Sequence, residues 1–307
     1  QYVSAGFTKI HLDTSMRLAG DPTDCRLPDS VIARRAARLC AAAEAAAGRE
    51  KPVYVIGSEV PIPGGATENE DSVVVTKPED LRSTIDAFQS AFCNAGLKDA
   101  WQRVVAVVVQ PGVEFADNTI IKYDPARAAE LTACAKRLPG IVLEGHSTDY
   151  QPANLLAAMR RDGIAILKVG PALTFALREA LFALEGMEKD LYPFSPKGGY
   201  SCFANVLEQK LMQQPKHWER YYHGSEGELA FARRFSLSDR CRYYLEDEQI
   251  KAAIARLVSN INAKAIPFGL VSQYFPAQKE AALACRDGVS AEWLIKERIR
   301  DVIRTYY

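Results

Sequence analysis

Residues able to hold a proton, a charge or a ligand recur at the ends of apolar runs in this 307-residue sequence. His11 and Asp13 close the run FTKIHLD (7–13), and Glu59 closes VYVIGSE (53–59). Gln110 and Glu114 follow RVVAVVV (103–109), Glu144, His146, Ser147 and Asp149 close or follow IVLEG (141–145), and Lys168 stands in IAILKVG (164–170). Imidazoles and carboxylates can exchange protons or ligate a metal ion, and a desolvated lysine can act as a nucleophile. For any one of them alone, the ordinary reading is a buried polar group satisfied by its neighbours. Their shared position, at one kind of strand end, makes them candidates as a group.

The elements that must position them are short and strongly apolar. Nearly continuous Val, Ile and Leu is the pattern of strands buried on both faces. Between the runs lie helical patterns with recognisable ends. DSVIARRAARLCAAAEAAAG opens on Asp29-Ser30 and stops at Gly48, and KPEDLRSTIDAFQSAFCNAG has Pro78 and two acids in its first turn and Gly96 at its end. DPARAAELTACAKRLPG and QPANLLAAMRRDG repeat the device. Strand followed by helix, five times over, predicts a parallel α/β protein in which the carboxyl ends of the strands share one face. Both an eight-stranded (β/α)8 barrel lacking its first three strands and an open doubly wound sheet accommodate five such units. The dinucleotide-binding version is disfavoured, because DTSMRLAGDP after the first run contains no G-x-G-x-x-G. QYVSAGF reads as the end of a helix running into the first strand, so residues 1–307 are expected to be the C-terminal part of a longer chain.

The chain is 48% hydrophobic and 25% charged, with 38 basic and 38 acidic residues. This balance gives no global field to attract nucleic acid or a membrane surface, and no apolar stretch reaches the length of a spanning helix. The seven cysteines are widely spread without a C-x-x-C pair, as in a cytoplasmic protein with reduced thiols. From about residue 190 the character changes: DLYPFSPKGGYSCF is followed by helical patterns with no strands between them. The expected division is therefore a barrel portion over 1–190 and a helical extension over 191–307, rich in Tyr and Arg. Such surfaces are common at protein interfaces, although a helical cap packed on the barrel accounts for most of these residues.

The stretches AGFTKIHLDTSM, YVIGSEVPIPGG, VVVQPGVEFADN, EGHSTDYQ, AILKVGPALTFALREALFAL, SLSDRCRYY and VSQYFPAQ resemble the GatZ/KbaZ family, the non-catalytic subunit of class II D-tagatose-1,6-bisphosphate aldolase. The resemblance spans essentially the whole chain. It implies a TIM-type barrel and an accessory, stabilising role beside a GatY/KbaY-type catalytic subunit in galactitol or amino-sugar catabolism. No metal or cofactor is expected on this chain, zinc being expected on the partner. Members also carry the label of putative tagatose 6-phosphate kinase, but the sequence has no G-x-x-x-x-G-K-[ST]. The alternative is a sugar-phosphate enzyme in its own right, either a metal-dependent lyase or that kinase.

The family is also similar to catalytic class II aldolases, and that likeness implies site residues. It places Glu59 at the barrel mouth. The zinc histidines of those enzymes would fall on an absent strand, on Gln110-Pro111-Gly112, and on Glu144-Gly145-His146, so the triad is not expected to assemble here. A mixed site combining His146, Glu144 and a residue outside the chain is the variant to weigh against a vestigial pocket. Pocket candidates are His11, Asp13, Glu59, Glu144, His146 and Lys168. Ser147, Thr148, Gly170 and Thr174 stand near the phosphate-binding positions of the relatives, from which an Asn is missing, so the ligand this likeness implies is a phosphorylated sugar. Lys168 reads as a Schiff-base nucleophile or, preferably, as a lysine paired with a strand-end carboxylate.

Overall fold

The computed structural model describes residues 1–22, 27–58, 73–286 and 288–307. Glu59 lies outside these residues. The described residues fall into two compact units, one reaching to Glu114 and resuming from Ile120 to Lys168, the other comprising Phe115–Thr119 and Val169–Tyr307. The division by contact thus runs at 168/169, whereas composition drew it near 190.

In the first unit, strands Lys9–His11 (β1), Val53–Ile56 (β2), Val104–Val109 (β3), Val142–Gly145 (β6) and Ile164–Leu167 (β7) form one sheet in that order. Every neighbouring pair is parallel. Two further strands, Glu114–Phe115 (β4) and Ile120–Ile121 (β5), pair with each other. The five expected strands all exist and are parallel, but each is shorter than its apolar run. β1 keeps only three residues, so Asp13 lies beyond the paired backbone.

The connections are helices Asp29–Ala46 (α1), Pro78–Asn94 (α2), Lys98–Trp101 (α3), Ala129–Ala135 (α4) and Ala153–Arg161 (α5). Pro78 sits at the start of α2, where its missing N–H costs nothing, and Glu79 and Asp80 occupy the first turn. α1 and β2 are tied by a polar bridge: Glu44 of α1 accepts Arg103 Nη1 at 2.9 Å and Nη2 at 2.8 Å, and also the Tyr54 hydroxyl.

The register reveals the sheet's shape. His11 pairs with Val55, Val55 with Ala106, Val108 with Glu144, and Glu144 with Ile166, and residues in register share a face. β1 and β6 stand three places apart, which would separate them by about 14 Å in a flat sheet. Yet His11 Nδ1 is 3.5 Å from Glu144 Oε1. The sheet is therefore rolled, with these residues on its concave face. Val55, Ala106 and Val108 fill that face, with Ile166 packed against them. Gly57 is required by the same roll, since a Cβ there would lie 2.6 Å from Val108 Cβ.

Apart from Phe115, the described residues of the second unit are helical or irregular. Its helices are Pro171–Leu191 (α6), Phe203–Gln213 (α7), Glu226–Phe235 (α8), Glu248–Asn262 (α9), Phe268–Tyr274 (α10), Lys279–Leu283 (α11) and Ala291–Arg304 (α12). Leu181, Leu184 and Met187 of α6 meet Leu207, Leu257, Ile261 and Leu294 in one core. Fully buried Glu188 accepts Ser201 Oγ at 2.7 Å and Asn260 Nδ2 at 2.6 Å, which pins the Pro/Gly-rich stretch between α6 and α7 to α9. Many of the Tyr and Arg residues are interior: Tyr222, Tyr244, Arg178, Arg233 and Arg240 are all buried. Phe194 and Tyr243 remain exposed. No described helix is long and apolar enough to cross a membrane.

Candidate functional site

At the carboxyl end of the rolled sheet the apolar filling gives way to ionisable groups. The strand period of two explains which residues arrive there. Glu144 lies on the concave face with Val108, His146 is two residues further along, and Lys168 stands two beyond Ile166. His11 comes across the roll from β1, and Lys9, two residues before it, shares its face.

Glu144 is the centre of the group and is fully buried. Its Oε1 lies 2.8 Å from His146 Nε2, 3.5 Å from His11 Nδ1 and 3.5 Å from Lys168 Nζ. Lys9 Nζ stands 3.8 Å from Oε2. Lys168 Nζ is also 3.4 Å from His11 Nδ1, and the two imidazoles meet edge to face with centroids 5.5 Å apart. Burial works to raise the Glu144 pKa, but the His146 hydrogen bond and the Lys168 charge outweigh it and hold the carboxyl below its usual range. Burial pushes His11 down to about 4, against the opposing pull of Glu144, so its ring is neutral at neutral pH. Among the described residues, His11 Nε2 and Glu144 Oε2 are buried without a hydrogen-bond partner.

The chain beyond His146 is held in a strained turn. Ser147 and Tyr150 have φ of 52° and 63°, a conformation costly for residues with a side chain. Thr148 fixes it: its Oγ1 donates to the Lys168 carbonyl at 2.6 Å. Gln151 supports it from below, accepting Tyr123 N–H at 3.0 Å and donating to the Ile121 carbonyl at 2.9 Å. The turn therefore sets where the His146 and Lys168 side chains begin.

Of the expected pocket residues, the structure brings together His11, Glu144, His146 and Lys168. Asp13 is exposed, accepts from Ser15 Oγ at 3.2 Å and, with Thr14, Met16, Leu18 and Arg35, lines a cavity of about 390 Å³. Gln110 is occupied in its own turn, where Oε1 accepts Gly112 N–H at 2.9 Å and Val113 N–H at 3.1 Å. Thr148 carries the bonds just described. Gly170 precedes α6 in the second unit, and Thr174 Oγ1 donates to Asp239 Oδ2 at 2.6 Å there. Lys9 was not anticipated, although its spacing of two from His11 was the available signal.

His11, Glu144 and His146 each offer a ligand atom within 4.8 Å of the others. Two imidazoles and a carboxylate form a set that can hold a zinc-like ion with one position open. The mixed site weighed from sequence pairs His146 with Glu144 and seeks the third ligand outside the chain, whereas the structure brings His11 to that place.

The family model for the D-tagatose-1,6-bisphosphate aldolase subunit, GatZ/KbaZ-like, matches residues 1–307. The chain belongs to the GatZ/KbaZ-like family. Relatives named D-tagatose-1,6-bisphosphate aldolase subunit GatZ include one from Salmonella typhimurium (strain LT2), 46% identical over 99% of this chain and 71% of its own length. Another, from Klebsiella pneumoniae, is 44% identical over the same shares. A crystal structure described as a probable tagatose 6 phosphate kinase from Sinorhizobium meliloti 1021 superposes with a TM-score of 0.88 at 43% identity, covering 99% of this chain and 73% of that one. The resemblance read from the seven sequence stretches is thus borne out, and GatZ/KbaZ-like membership accounts for the mixed α/β architecture.

Proposed function

We propose that this chain is an accessory subunit of a D-tagatose-1,6-bisphosphate aldolase, which binds and stabilises a GatY/KbaY-type catalytic subunit rather than cleaving the sugar bisphosphate itself. The observation that carries this reading is the match along all 307 residues to a family of aldolase subunits. Its setting is galactitol or amino-sugar catabolism in the cytoplasm. The rolled, sequentially ordered parallel sheet is part of a (β/α)8 barrel; an open doubly wound sheet would reverse its strand order at a switch point.

Aldol cleavage of the class II kind needs a metal to polarise the ketone and stabilise the enediolate. The class II set of three histidines is not what this site offers. Phosphoryl transfer, suggested by the name of the Sinorhizobium structure, finds no G-x-x-x-x-G-K-[ST] in the sequence. One observation favours a second reading, a metal-dependent lyase in its own right: the convergence of His11, Glu144 and His146. Release of dihydroxyacetone phosphate from tagatose 1,6-bisphosphate by the purified full-length protein with added zinc separates the two. The accessory reading predicts no turnover above background, and sustained turnover by the protein alone would overturn it.

A further inference from the structure

We propose that His11, Glu144 and His146 form a divalent-cation site on this chain, built across the concave face of the sheet, with an open coordination position beside Lys168. The inference rests on the geometry of the first unit alone and stands whether or not the chain turns substrate over.

Three observations carry it. The ligand atoms already lie within 4.8 Å of one another, from two strands that pairing alone would keep about 14 Å apart. The roll of the sheet therefore delivers them to one point without a large rearrangement. Next, Glu144 is completely buried and its Oε2 lacks a hydrogen-bond partner among the described residues, as does His11 Nε2. Buried polar atoms are rarely left this way, because each forfeits its hydration. A cation held by the carboxylate replaces what water supplied. Finally, the support expected around a metal ligand is present: the Ser147 turn is held by Thr148 on the Lys168 carbonyl, which fixes the backbone beside His146.

The chemistry of the set selects the ion. Two imidazole nitrogens and one carboxylate oxygen suit zinc, cobalt and similar borderline ions better than magnesium or calcium, which prefer all-oxygen shells. Two ammonium groups compete for the carboxylate: Lys9 Nζ stands 3.8 Å from Glu144 Oε2, beyond hydrogen-bond reach, and Lys168 Nζ is nearer the ligand atoms, 3.5 Å from Glu144 Oε1 and 3.4 Å from His11 Nδ1. The Lys168 side chain is 40% exposed and that of Lys9 46%, so both can withdraw into solvent, whereas Glu144 cannot. With the ion bound, the ammonium is placed to meet an oxygen ligand at the open position.

The test uses the full-length protein, stripped by a chelator, kept reduced and titrated with Co²⁺ and Zn²⁺. We expect one equivalent bound, visible cobalt d–d absorption without thiolate charge-transfer bands, and displacement by zinc. His11→Ala, Glu144→Gln and His146→Ala should each weaken binding by about 100-fold or more, since loss of even an outer-shell partner costs 10- to 100-fold. His217→Ala and His223→Ala should leave binding unchanged. Lys168→Met should keep the stoichiometry and bind more tightly. X-ray absorption on the zinc-loaded parent needs no variant to fold and should show imidazole and oxygen scatterers without sulfur. Absence of binding, a thiolate spectrum, or unchanged affinity in all three ligand variants would overturn the proposal. Binding confined to Lys168→Met would assign the position to the lysine ammonium and overturn it equally.

Discussion

Glu44 shows how a single carboxylate can join elements distant in sequence. It receives both terminal nitrogens of Arg103 and the hydroxyl of Tyr54, and the Arg103 hydrogen bond is the main reason its carboxyl is held below the usual range. A depressed carboxylate contributes stability that is present above its unfolded pKa and lost as pH falls through the folded one. Glu44→Gln should therefore cost about 1–2 kcal/mol at neutral pH, in the range of charge-assisted hydrogen bonds. Urea unfolding of parent and variant should show that gap closing as the pH drops below the ordinary glutamate range. An undiminished gap in acid would contradict the assignment. At this scale the sequence told part of the story. Glu144, His146 and Lys168 were recognisable because each stands at the end of an apolar run. His11 belonged to the same expected group, but its close contact with Glu144 was not legible, because that depends on curvature that period and propensity do not encode. Asp13 differs for a related reason: alternation puts it on the face of His11, but the paired strand ends at His11 and Asp13 is exposed, though its charge still acts on His11.

Two contacts between elements, one in each unit, can be tested. Gly57 follows β2 where a side chain would strike Val108 of β3. Gly57→Ala should destabilise the protein by about 1–3 kcal/mol, the usual cost of overpacking. Val108→Gly, which removes the Cβ that would be struck, should cost less in the Gly57→Ala background than in the parent, a coupling that independent sites would not show. If the two substitutions prove strictly additive, the two residues do not press on one another. In the second unit, Asn260 of α9 donates to Glu188 of α6 and to the Gly199 carbonyl at 3.1 Å. Asn260→Ala leaves a buried carboxylate short of a donor and should cost about 1–3 kcal/mol. Coupling with Glu188→Gln in a double-mutant cycle on chemical unfolding should be at least about 0.5 kcal/mol, and strict additivity would deny the contact any energetic role. The elements themselves were largely legible in the sequence. Apolar runs gave the five sheet strands, and Pro78 and its following acids marked the start of α2. Strand lengths were overread, because apolar character continues past the last paired residue at Gly57 and at Val169. The short helices α10 and α11 lack the long amphipathic pattern that announces a helix.

For the whole molecule, the irregular stretches were more informative than composition. Neutral charge and ordinary hydrophobicity excluded classes of partner but selected none. Stretches such as EGHSTDYQ and SLSDRCRYY pointed to the family, and the match over residues 1–307 bears them out. The structure adds why such stretches are irregular. One forms the strained turn that orients His146, and the other places Asp239 at φ 46° to receive Thr174 and buried Arg178. The central claim concerns what the assembled molecule does for a second protein. It is tested most directly by the half-life of aldolase activity of a GatY/KbaY-type catalytic subunit, incubated at its working temperature with and without equimolar full-length protein. The account predicts a half-life lengthened several-fold in the mixture, with initial turnover attributable to the catalytic subunit. An unchanged half-life at concentrations that saturate any complex would contradict it.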